Sequence, residues 1–228
     1  MPTQPAHTPT GMLLPIGAVV AELGRVFPEV TRSSLRFLER EGLVAAARSR
    51  GGHRLYSRAD IDRIVQIKRW QRQRLSLEEI RRRLEALDAL PPPPVLAERL
   101  VTLAVGGDLA AARQMVLAAD EAGLPLVRTF GEVMSPALAE VGRRWGEGRL
   151  LVSQEKEIAE LARELIVELT ARHAAPASTG PAIVAACVEG ERHELGLRMI
   201  AGLLRADGFA VHYLGADVAP RFLLEAVR

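Results

Sequence analysis

Four consecutive prolines, Pro91–Pro94, constrain this chain more than any other feature. Proline lacks a backbone N–H and its ring clashes with the preceding helical turn, so the stretch DALPPPPV (Asp88–Val95) predicts an extended polyproline spacer. No single helix or core can run through it. The two sides also differ in charge. Residues 1–85 hold 16 Lys/Arg against 9 Asp/Glu, and residues 86–228 hold the remaining 14 against 19. A basic block joined to an acidic one predicts that the first half meets a polyanion and the second does not. The plainer reading of the same charges is a solvated basic surface.

With 228 residues, 48% of them hydrophobic, the chain can bury a core in two or three domains. Aromatic residues are only 4%, which with the abundance of Ala, Leu and Arg favours helix over sheet. One cysteine, Cys187, excludes an intrachain disulfide and fits a reducing, cytoplasmic compartment. No apolar run approaches the ~20 residues of a membrane span. Residues 1–12 are polar and Pro-rich, and predict a disordered tail rather than a signal peptide.

Within residues 13–87, Ile16–Gly24 predicts a short helix. Thr31 caps a second over Arg32–Arg40, with Leu35 and Leu38 facing inward. Paired glycines in RSRGGHRLY (Arg48–Tyr56) predict a tight hairpin. Asp60–Leu75 and Leu77–Leu87 predict two further amphipathic helices, the second opened by a Ser76/Glu79 capping box.

Residues 95–173 have a helical pattern broken at Gly106-Gly107, Gly123 and Gly146–Gly148, which predicts a four-helix bundle. After the small-residue linker Ala174–Gly180, Pro181–Val188 predicts a buried parallel strand and Leu195–Leu204 a helix. Phe209–Leu214 predicts a second strand and Pro220–Arg228 another helix. Two strands do not make a sheet buried on both faces, so a truncated α/β domain is expected over 181–228. The expected fold class is mainly α: an N-terminal module of helices and a hairpin over 13–87, a spacer over 88–94, a four-helix bundle over 95–173 and the start of a Rossmann-like α/β domain.

The order TRSSLRFLEREGL (Thr31–Leu43), then RSRGGHRLYS (Arg48–Ser57), then a helix opened by Asp60 resembles the MerR family of regulators. The resemblance covers residues 13–87 and implies a winged helix-turn-helix bound to double-stranded DNA. Thr31, Arg32, Ser33 and Arg36 lie at the start of the second helix, where a recognition helix meets bases and phosphates. Arg48, Arg50, His53, Arg54 and Tyr56 lie on the wing. The resemblance makes Arg36, Arg54 and Tyr56 the phosphate anchors, and implies a homo-oligomer, a dimer or a tetramer. Because prolines occupy the position of the family's long dimerisation helix, assembly is expected to rest on the later domains.

ERHELG (Glu191–Gly196) resembles the D-x-H-x-x-G motif of cobalamin-binding domains, with Glu191 in place of aspartate. It implies that His193 coordinates cobalt, that Glu191 holds the other ring nitrogen, and that Gly196 lets the backbone pass close to the ligand's nucleotide tail. Trp145 followed ten residues later by Glu155 resembles the W-x9-E-H signature of the CarH/LitR-type light-dependent regulators. That signature implies contacts with the adenosyl group of adenosylcobalamin. Here the signature's histidine is replaced by Lys156, whose amine is largely protonated at neutral pH and is a poor cobalt ligand. His173, about five helical turns further on, does not replace it by simple geometry.

Two functional readings follow. In the first, a repressor without enzymatic activity binds DNA as an oligomer controlled by adenosylcobalamin, and by light. In the second, the same DNA-binding module carries a degenerate sensor that holds no cobalamin or responds to another effector. A cobalamin carrier module of a methyltransferase is disfavoured by the N-terminal domain.

Overall fold

The computed structural model describes residues 12–175 and 181–227. All of the expected tail except Met12, and residues 176–180 of the expected linker, lie outside them. The chain divides between Asp88 and Ala89 into two compact units.

The first unit opens with β1 (Leu14–Pro15), α1 (Ile16–Leu23) and α2 (Arg32–Arg40). The wing follows as β2 (Ala47–Arg48) and β3 (Arg54–Tyr56), then α3 (Arg58–Arg72) and α4 (Leu77–Asp88). The strands form an antiparallel sheet in the order β1-β3-β2. Strand β1 is not apparent in the sequence, because two residues are too few for an alternating pattern. Thr31 caps α2 by accepting a hydrogen bond from the Ser34 amide at 3.1 Å, and the Ser34 hydroxyl accepts from the Thr31 amide at 2.9 Å. Helix α3 starts two residues before Asp60. Its cap is Ser57, whose amide donates to Asp60 Oδ2 at 2.8 Å, so Asp60 closes a capping box instead of opening the helix. The Ser76/Glu79 box forms at α4, with Ser76 N donating to Glu79 Oε2 at 2.8 Å. The apolar faces converge on one core that includes Leu23, Phe27, Leu35, Leu38, Ile64 and Ile80.

The second unit begins with α5 (Pro93–Val105), two residues earlier than the apolar pattern indicates. Pro93 and Pro94 occupy the first turn, where the missing N–H leaves no bond unmade. Helix α6 (Leu109–Glu121) follows. Then α7 (Leu126–Arg128), a π turn (Thr129–Met134) and α8 (Ser135–Gly146) run on without a break, and α9 is Val152–His173. The π turn has a cause in Pro136. That residue has no N–H for the Glu132 carbonyl and crowds it, and the wider turn, in which Ser135 N bonds to Phe130 O, relieves both problems. Helices α5, α6 and α8 end where glycine takes a left-handed conformation, with φ +84° at Gly107, +97° at Gly123 and +70° at Gly148.

Strands β4 (Ala182–Val188) and β5 (Ala210–Val218) pair in parallel around α10 (Leu195–Ala206), and α11 (Pro220–Ala226) follows. β5 continues four residues past the expected end at Leu214. Between the pairs Ala182↔Ala210 and Val188↔Val218 it carries two extra residues, taken up in two irregularities. Helix α10 docks on the bundle through Gly202. A Cβ there would stand 2.4 Å from Thr170 Oγ1 and 3.2 Å from the Phe130 ring.

Candidate functional site

Two sites emerge, one in each unit. In the first, Arg32, Ser33 and Arg36 stand exposed on α2 beside the N-terminus of α1. Thr31 is exposed too, with its side-chain oxygen engaged in the cap. Together with Pro15, Ile16, Gly17, Gly52, His53 and Arg54, residues Arg32 and Arg36 line an open cleft between the two helices and the wing. Gly17 admits the Arg32 guanidinium, since a Cβ at this position would lie 3.3 Å from Arg32 Nη2. The cleft thus combines three arginines, a histidine and the uncapped start of α1, an arrangement suited to phosphate.

Arg48 and Arg54 do not stand free. Arg48 Nη2 lies 2.6 Å from Glu39 Oε1, and Arg54 Nε donates to the other oxygen of the same carboxylate. Glu39 therefore ties the wing to α2 and leaves one net positive charge on the three groups. Arg50 and His53 are exposed at the hairpin tip, where Gly52 has φ +75°. Tyr56 corrects the sequence reading. It is 0% exposed, sits in the core and has a hydroxyl without a hydrogen-bond partner among the described residues. At the end of β3 the Tyr56 ring turns into the core while Arg54 reaches the cleft, so Tyr56 supports the wing and does not reach a phosphate. Burial pushes its phenol upward, and the Glu39 carboxylate adds to the shift.

The second site is the loop from β4 to α10. His193 is 96% exposed at its side chain. Its Nδ1 lies 2.7 Å from Glu191 Oε1, and its backbone amide donates to the same oxygen at 2.7 Å. A carboxylate only accepts, so Nδ1 donates, and Nε2 is the ring nitrogen left for a metal. The bonds from the His193 amide and ring hold the Glu191 carboxyl below the usual range. Gly196, in the first turn of α10, has nothing within 4 Å of where a Cβ would be. Glu194 anchors the loop from behind, accepting from Tyr213 Oη on β5 at 2.8 Å and pairing with Arg163 of α9 at 3.3 Å and Arg198 at 3.2 Å. Burial works to raise the Glu194 carboxyl, but these partners outweigh it and hold it low. Tyr213 is pushed up to about 12, by burial first and by Glu194 second.

Trp145 and Glu155 flank the α8–α9 turn. Trp145 is 48% exposed, unlike a core tryptophan. Glu155 is largely enclosed and lies 3.1 Å from the ammonium of the exposed Lys156. His173, at the far end of α9, is held by Asp120 at 2.5 Å. Among the described residues, no group of three or more His, Cys, Asp or Glu could cage a bare metal ion. One oriented imidazole with open space beside Gly196 suits a metal that arrives with its other ligands, as cobalt does in a corrin ring. Also among the described residues, no helix is long and apolar enough to cross a membrane. Sequence reasoning missed Glu39, because nothing local to a charged helical position announces a partner fifteen residues away.

Residues 16–87 match the MerR HTH family regulatory protein. Residues 96–170 and 181–228 match two B12 binding domain families. The HTH-type transcriptional repressor CarH of Myxococcus xanthus is 31% identical over 92% of this chain and 73% of its own length. Trimethylamine corrinoid protein 2 of Methanosarcina mazei is 30% identical over 47% of this chain and 50% of its own length. The chain therefore spans about half of that corrinoid protein. The solved monomethylamine corrinoid protein of Methanosarcina barkeri superposes with a TM-score of 0.50 at 21% identity, over 57% of this chain and 62% of its own, a likeness of fold. This chain belongs to the MerR-type transcription regulators that join a DNA-binding helix-turn-helix to B12-binding domains, and is a cobalamin-responsive DNA-binding regulator.

Proposed function

We propose that the chain is a cytoplasmic repressor without enzymatic activity, whose assembly on promoter DNA is set by adenosylcobalamin. The observation that carries this reading is the His193–Glu191 pair, a solvent-exposed imidazole with one nitrogen fixed and the other free. Adenosylcobalamin supplies a cobalt able to accept one further nitrogen. On this chain, His193 Nε2 offers that nitrogen, Glu191 sets its basicity, Gly196 leaves room for the nucleotide tail, and Trp145 with Glu155 meets the adenosyl group. Arg32, Ser33 and Arg36 on α2, with Thr31 at its cap and Arg48, Arg50, His53 and Arg54 on the wing, contact DNA. Joining several such modules in a dimer or tetramer raises avidity by roughly 10²–10⁴, enough to make assembly a switch.

Lys156 bears on light. In the W-x9-E-H signature this position is histidine, whereas here an exposed ammonium paired with Glu155 offers no lone pair. This position therefore supplies no second nitrogen to cobalt once light has broken the cobalt–carbon bond. The same pair, which occupies Glu155, favours the second reading, a regulator whose sensor takes a different effector. Size exclusion with adenosylcobalamin in the dark separates the two. Red colour co-eluting with an enlarged assembly supports the cobalamin switch, and green light shows whether that assembly depends on the adenosyl group. A colourless protein peak supports the other effector.

A further inference from the structure

The loop that carries His193 is held from both sides, and one of its holders sits 24 residues away in sequence. At the second irregularity of β5, Asp217 has a left-handed backbone, φ +56°. Only glycine, asparagine and aspartate adopt this conformation at small cost. The turn aims the Asp217 carboxylate back across the sheet end, where Oδ1 accepts from the Gly190 amide at 2.7 Å. The Asp217 amide donates to the Glu191 carbonyl at 3.0 Å. Asp217 thus grips the residue before the motif through its side chain and the residue that opens the motif through its backbone. Glu191 is the residue whose carboxylate fixes His193.

We propose that Asp217 is a positioning residue for the cobalt ligand, acting through the backbone of Gly190 and Glu191 to hold the Glu191–His193 pair ready before any ligand arrives. The proposal rests on the cobalamin reading given above. The strand register accounts for the device. Without the irregularity near its end, β5 would present residue 217 in extended conformation, and the carboxylate would not be turned towards Gly190. Outer residues that orient a metal ligand typically govern about 10–100-fold in affinity, and Asp217, one step further out than Glu191, belongs at the lower end.

Two substitutions separate side chain from backbone. Asp217→Gly keeps the left-handed turn and removes only the acceptor. Asp217→Asn keeps both the turn and an acceptor oxygen. In the full chain without ligand, D217G should speed hydrogen exchange at the Gly190 amide while the melting temperature changes little. With adenosylcobalamin in the dark, D217G should bind about tenfold more weakly and lose part of the imidazole-ligated visible spectrum, and D217N should restore both. A wild-type chain that takes up cobalamin alongside a D217G variant of equal affinity and identical spectrum overturns this inference alone. A wild-type chain that takes up none overturns the cobalamin reading and this inference with it.

Discussion

Around the wing of the N-terminal unit, Arg48 and Arg54 already share a carboxylate, Glu39, whereas in the C-terminal unit His193 spends one nitrogen on Glu191 and keeps the other free. The difference follows from what each site meets. Attraction between cations and a polyanion acts over about a Debye length and survives partial pairing, because a net positive charge remains. A coordination bond needs one lone pair in one tautomer at one place. The first unit can therefore use its carboxylate to shape the wing, while the second uses its carboxylate to set a proton.

His193→Ala is the sharpest way to break this comparison. It should weaken adenosylcobalamin binding by more than the ~100-fold upper range of an outer residue, and leave ligand-free DNA binding unchanged. Spectral titration and a DNA gel shift on the same preparation check both halves. Next in size, Gly202→Ala should destabilise the second unit by about 1–3 kcal/mol, because its Cβ has no room beside Thr170 and Phe130. Denaturant melts should show the transition of the first unit unmoved. Arg36→Ala should lower DNA affinity for every sequence alike and reduce the slope of log affinity against log salt by about one, read by fluorescence anisotropy. Smallest, Glu39→Gln should free Arg48 and Arg54, tighten DNA binding severalfold at low salt and steepen the salt slope by up to about one. If it weakens binding instead, the carboxylate matters more for holding the wing in place than for the charge it cancels.

The legible parts of the fold were those with local causes. The bundle breaks could be read because Gly107, Gly123 and Gly148 take positive φ at helix ends. The partners in the Ser76/Glu79 box and the Glu191–His193 pair lie three positions apart or fewer, so sequence spacing already brings them together. What escaped was set at a distance or by packing. The π turn answers to Pro136 within a packed bundle, and no residue pattern marks it. Tyr56 read as a surface group because a three-residue strand does not reveal which face is inward, and the core claimed it. Glu39 and Asp217 owe their roles to partners brought close only by the tertiary fold, although Gly215, two residues before Asp217 within the strand, hints at an irregularity there.

The central claim is that one chain couples the two sites. Anisotropy of labelled DNA from upstream of this gene, titrated in the dark with wild type and with H193A, with and without adenosylcobalamin, tests it directly. The account predicts that the ligand tightens DNA binding by the wild type at least tenfold and leaves H193A unmoved. Equal wild-type affinity with and without the ligand, under conditions where the protein is red with bound cobalamin, would contradict it.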